Sequence, residues 1–189
     1  MNSKSTLIPL LPVGLPSKGR DAAQSPGGIS TVYLHAGQLF AASTPSVVTT
    51  VLGSCVAVGL WNPFLKVGGV NHYLLPFRTG KNETSARFGD VAIHSLIEKV
   101  LNLGGMKTDL RAKIFGGACV VKEMKGNSEN LGLKNVEVAR RLLQEEGIPV
   151  MIEDVGGAQG RKLVFHVNEG VAWVKLLGGR KPAPVKEGE

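Results

Sequence analysis

The sequence lacks most of the features that would place it in a specialised class of protein. Only two of its 189 residues are cysteine, Cys55 and Cys119, and no CxxC motif or Cys/His cluster accompanies either one. Two cysteines are too few for a disulfide scaffold, so a reducing compartment is expected. No run approaches the roughly 18 consecutive apolar residues that a membrane-spanning helix needs. We therefore expect a cytoplasmic protein with no direct membrane insertion.

Aromatic residues are scarce at 5%, and positive charge is in excess, with 22 Lys and Arg against 15 Asp and Glu and a net charge of +7. This excess is scattered over several segments, so neither a basic groove nor a stacking platform for nucleic acid is evident. A mildly basic surface that faces an acidic protein partner explains the charge at least as well. No nucleic-acid partner is expected.

Motifs for metals and phosphates are also missing. The four histidines are dispersed, and no HxxxH or His/Asp cluster appears. The glycine pair at 116–117 lacks the later glycines and the Lys-Ser/Thr ending that a phosphate loop requires. The sequence therefore supports neither metal catalysis nor a phosphate-binding loop.

The length of the chain and its 43% content of hydrophobic residues are typical of one globular domain. Residues 1–28 are rich in Pro, Gly, Ser and Lys without a sustained period, which predicts a flexible N-terminal segment. The folded domain is expected over residues 29–177. Residues 178–189 form a C-terminal tail in this interpretation.

Two segments have apolar residues at helical spacing, and they predict helices over Ala86–Leu103 and Leu133–Glu146. Short apolar runs bounded by Gly and Pro predict strands. These strands are Thr31–Leu34, Val47–Leu52, Cys55–Trp61, Val67–Leu75, Ala112–Phe115, Val150–Val155, Leu163–Val167 and Val171–Leu176, the last two joined as a hairpin. The pattern indicates an α/β or α+β domain in which helices cover the outside of a sheet or sandwich.

Cys55 is a candidate nucleophile because it follows Gly53 and Ser54, which interrupt an otherwise continuous strand. Gly53 allows a sharp turn without a Cβ penalty, and the turn leaves nearby backbone N–H groups free to stabilise an oxyanion. The alternative is an inert buried thiol, which is common for a cysteine within an apolar run.

A thiol nucleophile needs a base, and His72 is favoured because its strand follows that of Cys55 and could pair with it. The other histidines are expected to be surface or structural residues: His35, His94 and His166. Thr49 and Thr50 are both candidates for the group that orients the imidazole, although strand propensity alone also explains them.

These residues occur within blocks that resemble the CheD family of bacterial chemoreceptor glutamine deamidases. The resemblance covers roughly residues 33–177, and its specificity comes from the order of the blocks rather than from any one of them. The blocks are Leu52-Gly53-Ser54-Cys55-Val56-Ala57-Val58, Gly69-Val70-Asn71-His72-Tyr73-Leu74-Leu75-Pro76, Arg87-Phe88-Gly89-Asp90, Ala112-Lys113-Ile114-Phe115-Gly116-Gly117-Ala118, Leu131-Gly132-Leu133-Lys134-Asn135-Val136, Asp154-Val155-Gly156-Gly157 and Gly160-Arg161-Lys162.

The resemblance implies Cys55 as the nucleophile and His72 as the general base and acid. It implies Thr49 as the orienting third residue, because Thr49 stands six residues before the cysteine as in the family pattern. Backbone groups around Gly53 and Ser54 would support the oxyanion. One departure is Lys134, where the family more often has Arg.

The implied reaction is hydrolysis of glutamine side-chain amides on the cytoplasmic helical bundle of a chemoreceptor, without a cofactor, as a contribution to adaptation. The implied fold is a layered α/β sandwich of mixed or antiparallel sheet with helices packed outside, similar to deamidating cysteine-hydrolase toxins. Some members of the family bind a CheC-type phosphatase. A non-catalytic adaptor that binds such a phosphatase or a receptor is therefore the alternative function.

Overall fold

The computed structural model of the protein describes residues 22–24, 28–80, 83–119 and 131–178. Most of the expected N-terminal segment 1–28 and nearly all of the expected tail 178–189 lie outside the described residues. The domain boundaries at these two points therefore stay predictions. The helices in the described ranges are all too short or too polar to cross a membrane.

Ten strands and two α-helices make up the described part of the chain. They are β1 Ala22–Gln24, β2 Ser30–Tyr33, β3 Gln38–Ala42, β4 Ser46–Leu52, β5 Val56–Asn62, β6 Val67–His72, α1 Gly89–Leu101, β7 Arg111–Gly116, α2 Leu131–Glu145, β8 Val150–Val155, β9 Arg161–His166 and β10 Val171–Leu176. A single 3₁₀ turn, Lys107–Asp109, precedes β7.

Both predicted helices are confirmed, with different ends. α1 begins at Gly89 rather than at Ala86 because the carbonyl oxygen of Arg87 accepts the backbone N–H groups of Leu74 and Leu75. This contact holds the chain before the helix in an extended conformation. The strands β1 and β3 were not predicted from the sequence, and the remaining eight agree with the predicted strands to within a few residues.

The strands form two mixed sheets of five strands each. Sheet 1 has the order β1-β2-β4-β9-β10, in which only β2 and β4 are parallel. Sheet 2 has the order β3-β6-β5-β7-β8, in which only β7 and β8 are parallel. The predicted hairpin is confirmed by the antiparallel pairing of β9 with β10.

The sheets and helices stack in three layers, which confirms the expected layered α/β sandwich. Along β5, Val56 and Val58 pack toward α1 and α2, whereas Ala57 packs toward sheet 1. This alternation follows from the period of two in a strand and divides the core into two parts. Both helices contact sheet 2. The part of the core that includes Val56 and Val58 therefore lies between sheet 2 and the helices, and the part that includes Ala57 lies between the two sheets.

Candidate active site

Cys55 lies in the short connection between β4 and β5, at one end of the sandwich. Gly53 and Ser54 form the bend before it, and β5 resumes with the next residue. The Cys55 side chain is half-buried against the core between the sheets. Cys55 also lines a cleft of about 470 Å³.

The walls of this cleft combine an apolar part with a polar rim. The apolar residues are Leu74, Leu75, Phe88 and Leu131, and the polar residues beside Cys55 are Ser54, Glu83, Ser85 and Arg87. Leu75 and Leu131 are exposed at the mouth. The aliphatic part of a long, uncharged side chain fits such a surface, because apolar contact compensates for the loss of water around its methylene groups.

His72 ends β6, and only 4% of its surface is exposed. Val56 and Tyr73, which adjoin Cys55 and His72 in the chain, exchange backbone hydrogen bonds of 3.1 and 3.0 Å. This pairing places Cys55 and His72 diagonally on neighbouring strands, on the face toward sheet 1. Diagonal neighbours lie roughly 7–8 Å apart, a separation that a ring-bearing side chain can reach across. The expected pairing of the two strands is thus confirmed.

Thr50, rather than Thr49, contacts the imidazole. The Thr50 Oγ1 lies 2.8 Å from the Nδ1 of His72, and Thr50 is buried between the sheets. Neighbouring residues of a strand point to opposite faces, and burial alternates along β4 so that Thr49 falls on the other face. The structure therefore does not bring Thr49 to His72, and the choice of Thr49 as the orienting residue does not fit this geometry.

The hydrogen bonds of Thr50 determine which nitrogen of His72 carries the proton. The Thr50 hydroxyl donates its single proton to the carbonyl oxygen of Leu34 at 2.7 Å. It can therefore only accept from His72, so Nδ1 is the protonated nitrogen and Nε2 has a free lone pair. In the described ranges, the buried Nε2 has no hydrogen-bond partner. His72 is not itself among the residues that line the cleft.

Burial shifts both reactive groups toward their neutral forms. Burial raises the pKa of the Cys55 thiol, and the residue's own backbone N–H opposes part of this rise. Burial also lowers the pKa of His72; the Leu34 carbonyl works against this effect, and the nearby His35 adds to it. At neutral pH the pair is therefore a thiol and a neutral imidazole.

Two backbone carbonyl groups of residues 53–55 hold the bend in place. The carbonyl oxygens of Gly53 and Cys55 accept the N–H groups of Ala118 and Gly117, both at 2.8 Å. No acceptor among the described residues takes the N–H of Ser54 or that of Cys55. Backbone donors without an internal partner, next to a nucleophile, are suited to stabilise a developing oxyanion. The supporting role expected of Gly53 and Ser54 stays a prediction.

Asn135, on α2, is a residue whose position the sequence did not reveal. It is fully buried, and its Nδ2 lies 3.0 Å from the Ser54 carbonyl oxygen and 2.9 Å from that of Leu74. These partners are 81 and 61 residues away in the chain, so no local pattern could predict them. The sequence offered two signals: an amide on the otherwise apolar face of a helix, and the place of Asn135 in the block Leu131–Val136.

Arg161 stabilises the connection between β8 and β9. Its side chain is 3% exposed, donates to the carbonyl oxygens of Asp154 and Gly156, and pairs with the Asp154 carboxylate. The N–H of Gly156 in turn donates to the carbonyl oxygen of Gly116 at 2.8 Å. Gly116 is paired with Val56, so Arg161 stabilises the strand end beside Cys55.

Cys119, His94 and His166 lie away from the cleft, whereas the exposed His35 is near His72. Cys119 is exposed and is not part of the cleft lining. His94 is exposed on α1, where its Nδ1 lies 2.6 Å from the Asp90 carbonyl oxygen. His166 lines a different cleft, at the opposite end of the sandwich. Within residues 22–24, 28–80, 83–119 and 131–178, no three His, Cys, Asp or Glu side chains come together as a metal site.

A family model described as CheD chemotactic sensory transduction matches residues 74–176 of this chain. The chain is 52% identical over 158 residues to a protein of Anaeromyxobacter dehalogenans (strain 2CP-C) named probable chemoreceptor glutamine deamidase CheD 1. This match covers 82% of the chain and 91% of that protein, so it includes the segment from Cys55 to His72 wherever it begins.

A protein of Sulfurimonas denitrificans (strain ATCC 33889 / DSM 1251), named probable chemoreceptor glutamine deamidase CheD, is 41% identical over 145 residues, which is 77% of this chain and 93% of that protein. One from Vibrio cholerae serotype O1 (strain M66-2) with the same name is 36% identical over 168 residues, 84% of this chain and 70% of that protein. Among solved structures, the Bacillus licheniformis hypothetical protein YfiH matches with a TM-score of 0.34 at 16% identity, over 57% of this chain and 46% of that one. The similarity to YfiH is too low to support an argument, and the expected similarity to deamidating toxins stays a prediction.

Proposed function

The chain belongs to the CheD family, and we propose that it hydrolyses the side-chain amides of specific chemoreceptor glutamines to glutamate and ammonia, with Cys55 as the nucleophile. The names of its relatives support the reaction and the substrate. The observation that supports the assignment to residues is the hydrogen bonding of Thr50 with the Leu34 carbonyl and the His72 Nδ1. It leaves the His72 Nε2 as the unprotonated nitrogen, on the strand beside Cys55.

The first half of the reaction forms a thioester. The Nε2 of His72 takes the thiol proton while the Cys55 sulfur attacks the carboxamide carbon. The negative charge that develops on the amide oxygen is stabilised by the backbone N–H groups of Ser54 and Cys55. The imidazolium then returns the proton to the departing nitrogen, so that ammonia leaves and the acyl group remains on sulfur.

The second half consumes one water molecule. His72 Nε2, neutral again, accepts a proton from water as the water oxygen attacks the thioester carbon. The carbon–sulfur bond breaks, Cys55 recovers its proton from the imidazolium, and glutamate is released. Thr50 keeps the imidazole ring oriented in both halves, because its Oγ1 accepts a hydrogen bond from the Nδ1–H whether the ring is neutral or charged.

The proposed partner is the cytoplasmic helical bundle of a chemoreceptor. Each conversion replaces a neutral amide with a carboxylate and so adds negative charge to packed helices. Such a charge shifts the balance between two signalling states if it is tolerated better in one of them, which is how deamidation would contribute to adaptation. The reaction needs only water as co-reactant, and a cytoplasmic location fits this substrate.

The test is a deamidation assay on the recombinant cytoplasmic fragment of a methyl-accepting chemotaxis protein. Peptide mass mapping and ammonia release are followed for the wild type and for His72→Gln. The wild type should convert a small, fixed set of glutamines, and the variant should be slower by about 10³-fold or more, since it lacks the base. Binding of the fragment without any conversion would contradict the proposal and favour the adaptor function.

A further inference from the structure

Asn135 holds the two backbone segments that carry the reacting side chains. The Ser54 carbonyl belongs to the bend before Cys55, and the Leu74 carbonyl follows His72 by two residues. The two oxygens can only accept hydrogen bonds, so the atom that faces both must be the NH₂ group of the amide. One side chain of α2 therefore connects the nucleophile segment to the base segment.

The contact with Ser54 also acts on the oxyanion donor. The carbonyl of Ser54 and the N–H of Cys55 belong to one peptide group, and in a trans peptide they point in opposite directions. An anchor on the carbonyl thus fixes the direction of the Cys55 N–H. This N–H belongs to the residue that carries the sulfur, and it has no acceptor among the described residues. A hydrogen bond to the carbonyl also polarises the N–H of the same group.

We propose that Asn135 is a positioning residue for amide hydrolysis, which holds the Ser54–Cys55 peptide so that the Cys55 N–H faces the developing oxyanion. The inference rests on the proposed deamidase function and adds to it the residue that aligns its oxyanion donor. Asn135 does not line the cleft and acts only through the backbone it binds.

The alternative is that Asn135 serves stability alone. Its Oδ1 is buried and has no hydrogen-bond partner in the described ranges, so the amide is kept at the cost of an unpaired acceptor. The anchor on α2 is itself fixed, because the buried Tyr73 hydroxyl donates to the Asn135 carbonyl oxygen at 2.6 Å. Asn135 is thus held through both its side chain and its backbone, and yet its Oδ1 stays unpaired. This combination is expected where the orientation of the bound backbone segments matters more than stability.

Asn168 provides a matched control, because it is also a buried asparagine that bridges two backbone segments. Its Oδ1 accepts the Ser46 N–H at 2.9 Å and its Nδ2 donates to the Lys66 carbonyl oxygen at 2.6 Å. These contacts lie at the end of the sandwich away from Cys55. Asn168→Leu thus removes the same kind of bridge without touching the proposed donor.

The experiment measures two rates on folded Asn135→Leu, Asn135→Ser and Asn168→Leu. The first is deamidation of the receptor fragment, resolved into kcat and KM. The second is alkylation of Cys55 by iodoacetamide, read by peptide mapping, because this displacement needs the thiol but no oxyanion donor. In both Asn135 variants kcat should fall about 100-fold, while KM changes by less than about threefold. The Cys55 alkylation rate should fall by less than about tenfold, because the Cys55 N–H is only a secondary influence on the thiol pKa. Asn168→Leu should change none of the three.

Two results would overturn the inference: kcat within about threefold of the wild type in a folded Asn135 variant, or a parallel loss of alkylation, which would assign the residue to the thiol instead. Asn135→Ser leaves space for a water molecule and decides the question if Asn135→Leu does not fold. Absence of conversion by the wild type, with normal alkylation, would instead refute the deamidase function on which the inference depends.

Discussion

The two ends of the sandwich have similar parts. Each end has a cleft, of about 470 Å³ beside Cys55 and about 330 Å³ beside Asn168. Each has a histidine, His72 at the first end and His166 at the second. Each also has a buried asparagine that bridges two backbone segments, Asn135 at the Cys55 end.

The difference lies in how the polar atoms are partnered. Asn168 uses both its oxygen and its nitrogen in hydrogen bonds, whereas the His72 Nε2 and the Asn135 Oδ1 have no partner in the part of the chain that is described. Asn62 Nδ2, near the opposite end, is also unpaired, so an orphaned atom alone does not mark an active site. The Asn71 Nδ2 and the Arg161 Nε are unpaired as well. The end that we propose as the reactive one is the end where His72 and Asn135 accompany Cys55 and the first cleft.

The largest expected effect separates the two cysteines. Cys55→Ala should lower the deamidation rate by at least about 10⁴-fold, because no other group in the cleft forms the thioester. Cys119→Ser should keep the wild-type rate to within about threefold, because Cys119 lies outside the cleft. Initial rates from peptide mass mapping measure both. Equal loss in the two variants would remove the distinction between the reactive cysteine and the exposed one.

The next effect separates the two threonines. Thr50→Val should lower kcat by about tenfold, because the Nδ1 of His72 loses the hydroxyl that orients it and keeps only the nearby Leu34 carbonyl. Thr49→Val should leave kcat unchanged, because Thr49 lies on the other face of β4. The two variants have the same volume change, so they serve as controls for each other. A loss confined to Thr49→Val would restore the assignment implied by the family pattern.

At the opposite end, stability should change while activity does not. Asn168→Leu leaves the Ser46 N–H and the Lys66 carbonyl without their partners, which should lower the free energy of unfolding by about 2 kcal/mol. Urea unfolding measures this change, and the deamidation rate is taken at a temperature where the variant is folded. A large loss of kcat in the folded variant would show that the two ends are not independent.

The smallest effect concerns pH. Because burial lowers the pKa of His72, the imidazole stays neutral below the ordinary value of about 6.5, and the acidic limb of the kcat/KM profile should lie below that pH. In the unfolded chain the same histidine binds a proton near that pH. The free energy of unfolding should therefore decrease as pH falls through about 6.5, and less so in His72→Gln. An acidic limb at or above the ordinary histidine value would contradict the burial argument.

The sequence predicted the elements that rest on local periodicity. Ile93, Leu96, Ile97 and Val100 are buried as the helical spacing required, and the pairing of β5 with β6 followed from two short strands separated by a tight turn. The strand β3 was missed because its residues are partly buried without alternation, so the period of two is absent there.

The parts of the site that depend on contacts distant in sequence could not be predicted. Both faces of β4 present valines, with Val47 and Val51 in one phase and Val48 in the other, so alternation could not decide between Thr49 and Thr50. The tautomer of His72 depends on the Leu34 carbonyl, which has no sequence signature. The same holds for the carbonyls that Asn135 binds.

The proposed reaction requires that the Cys55 sulfur bonds to the carbonyl carbon of a glutamine side chain with help from His72. The most direct test is a receptor peptide in which the target glutamine is replaced by a chloroketone analogue of similar length. We expect loss of activity with a thioether on Cys55, protection by the unmodified receptor fragment, and much slower labelling of His72→Gln. Inactivation with the label on Cys119, or without a label on Cys55, would contradict it.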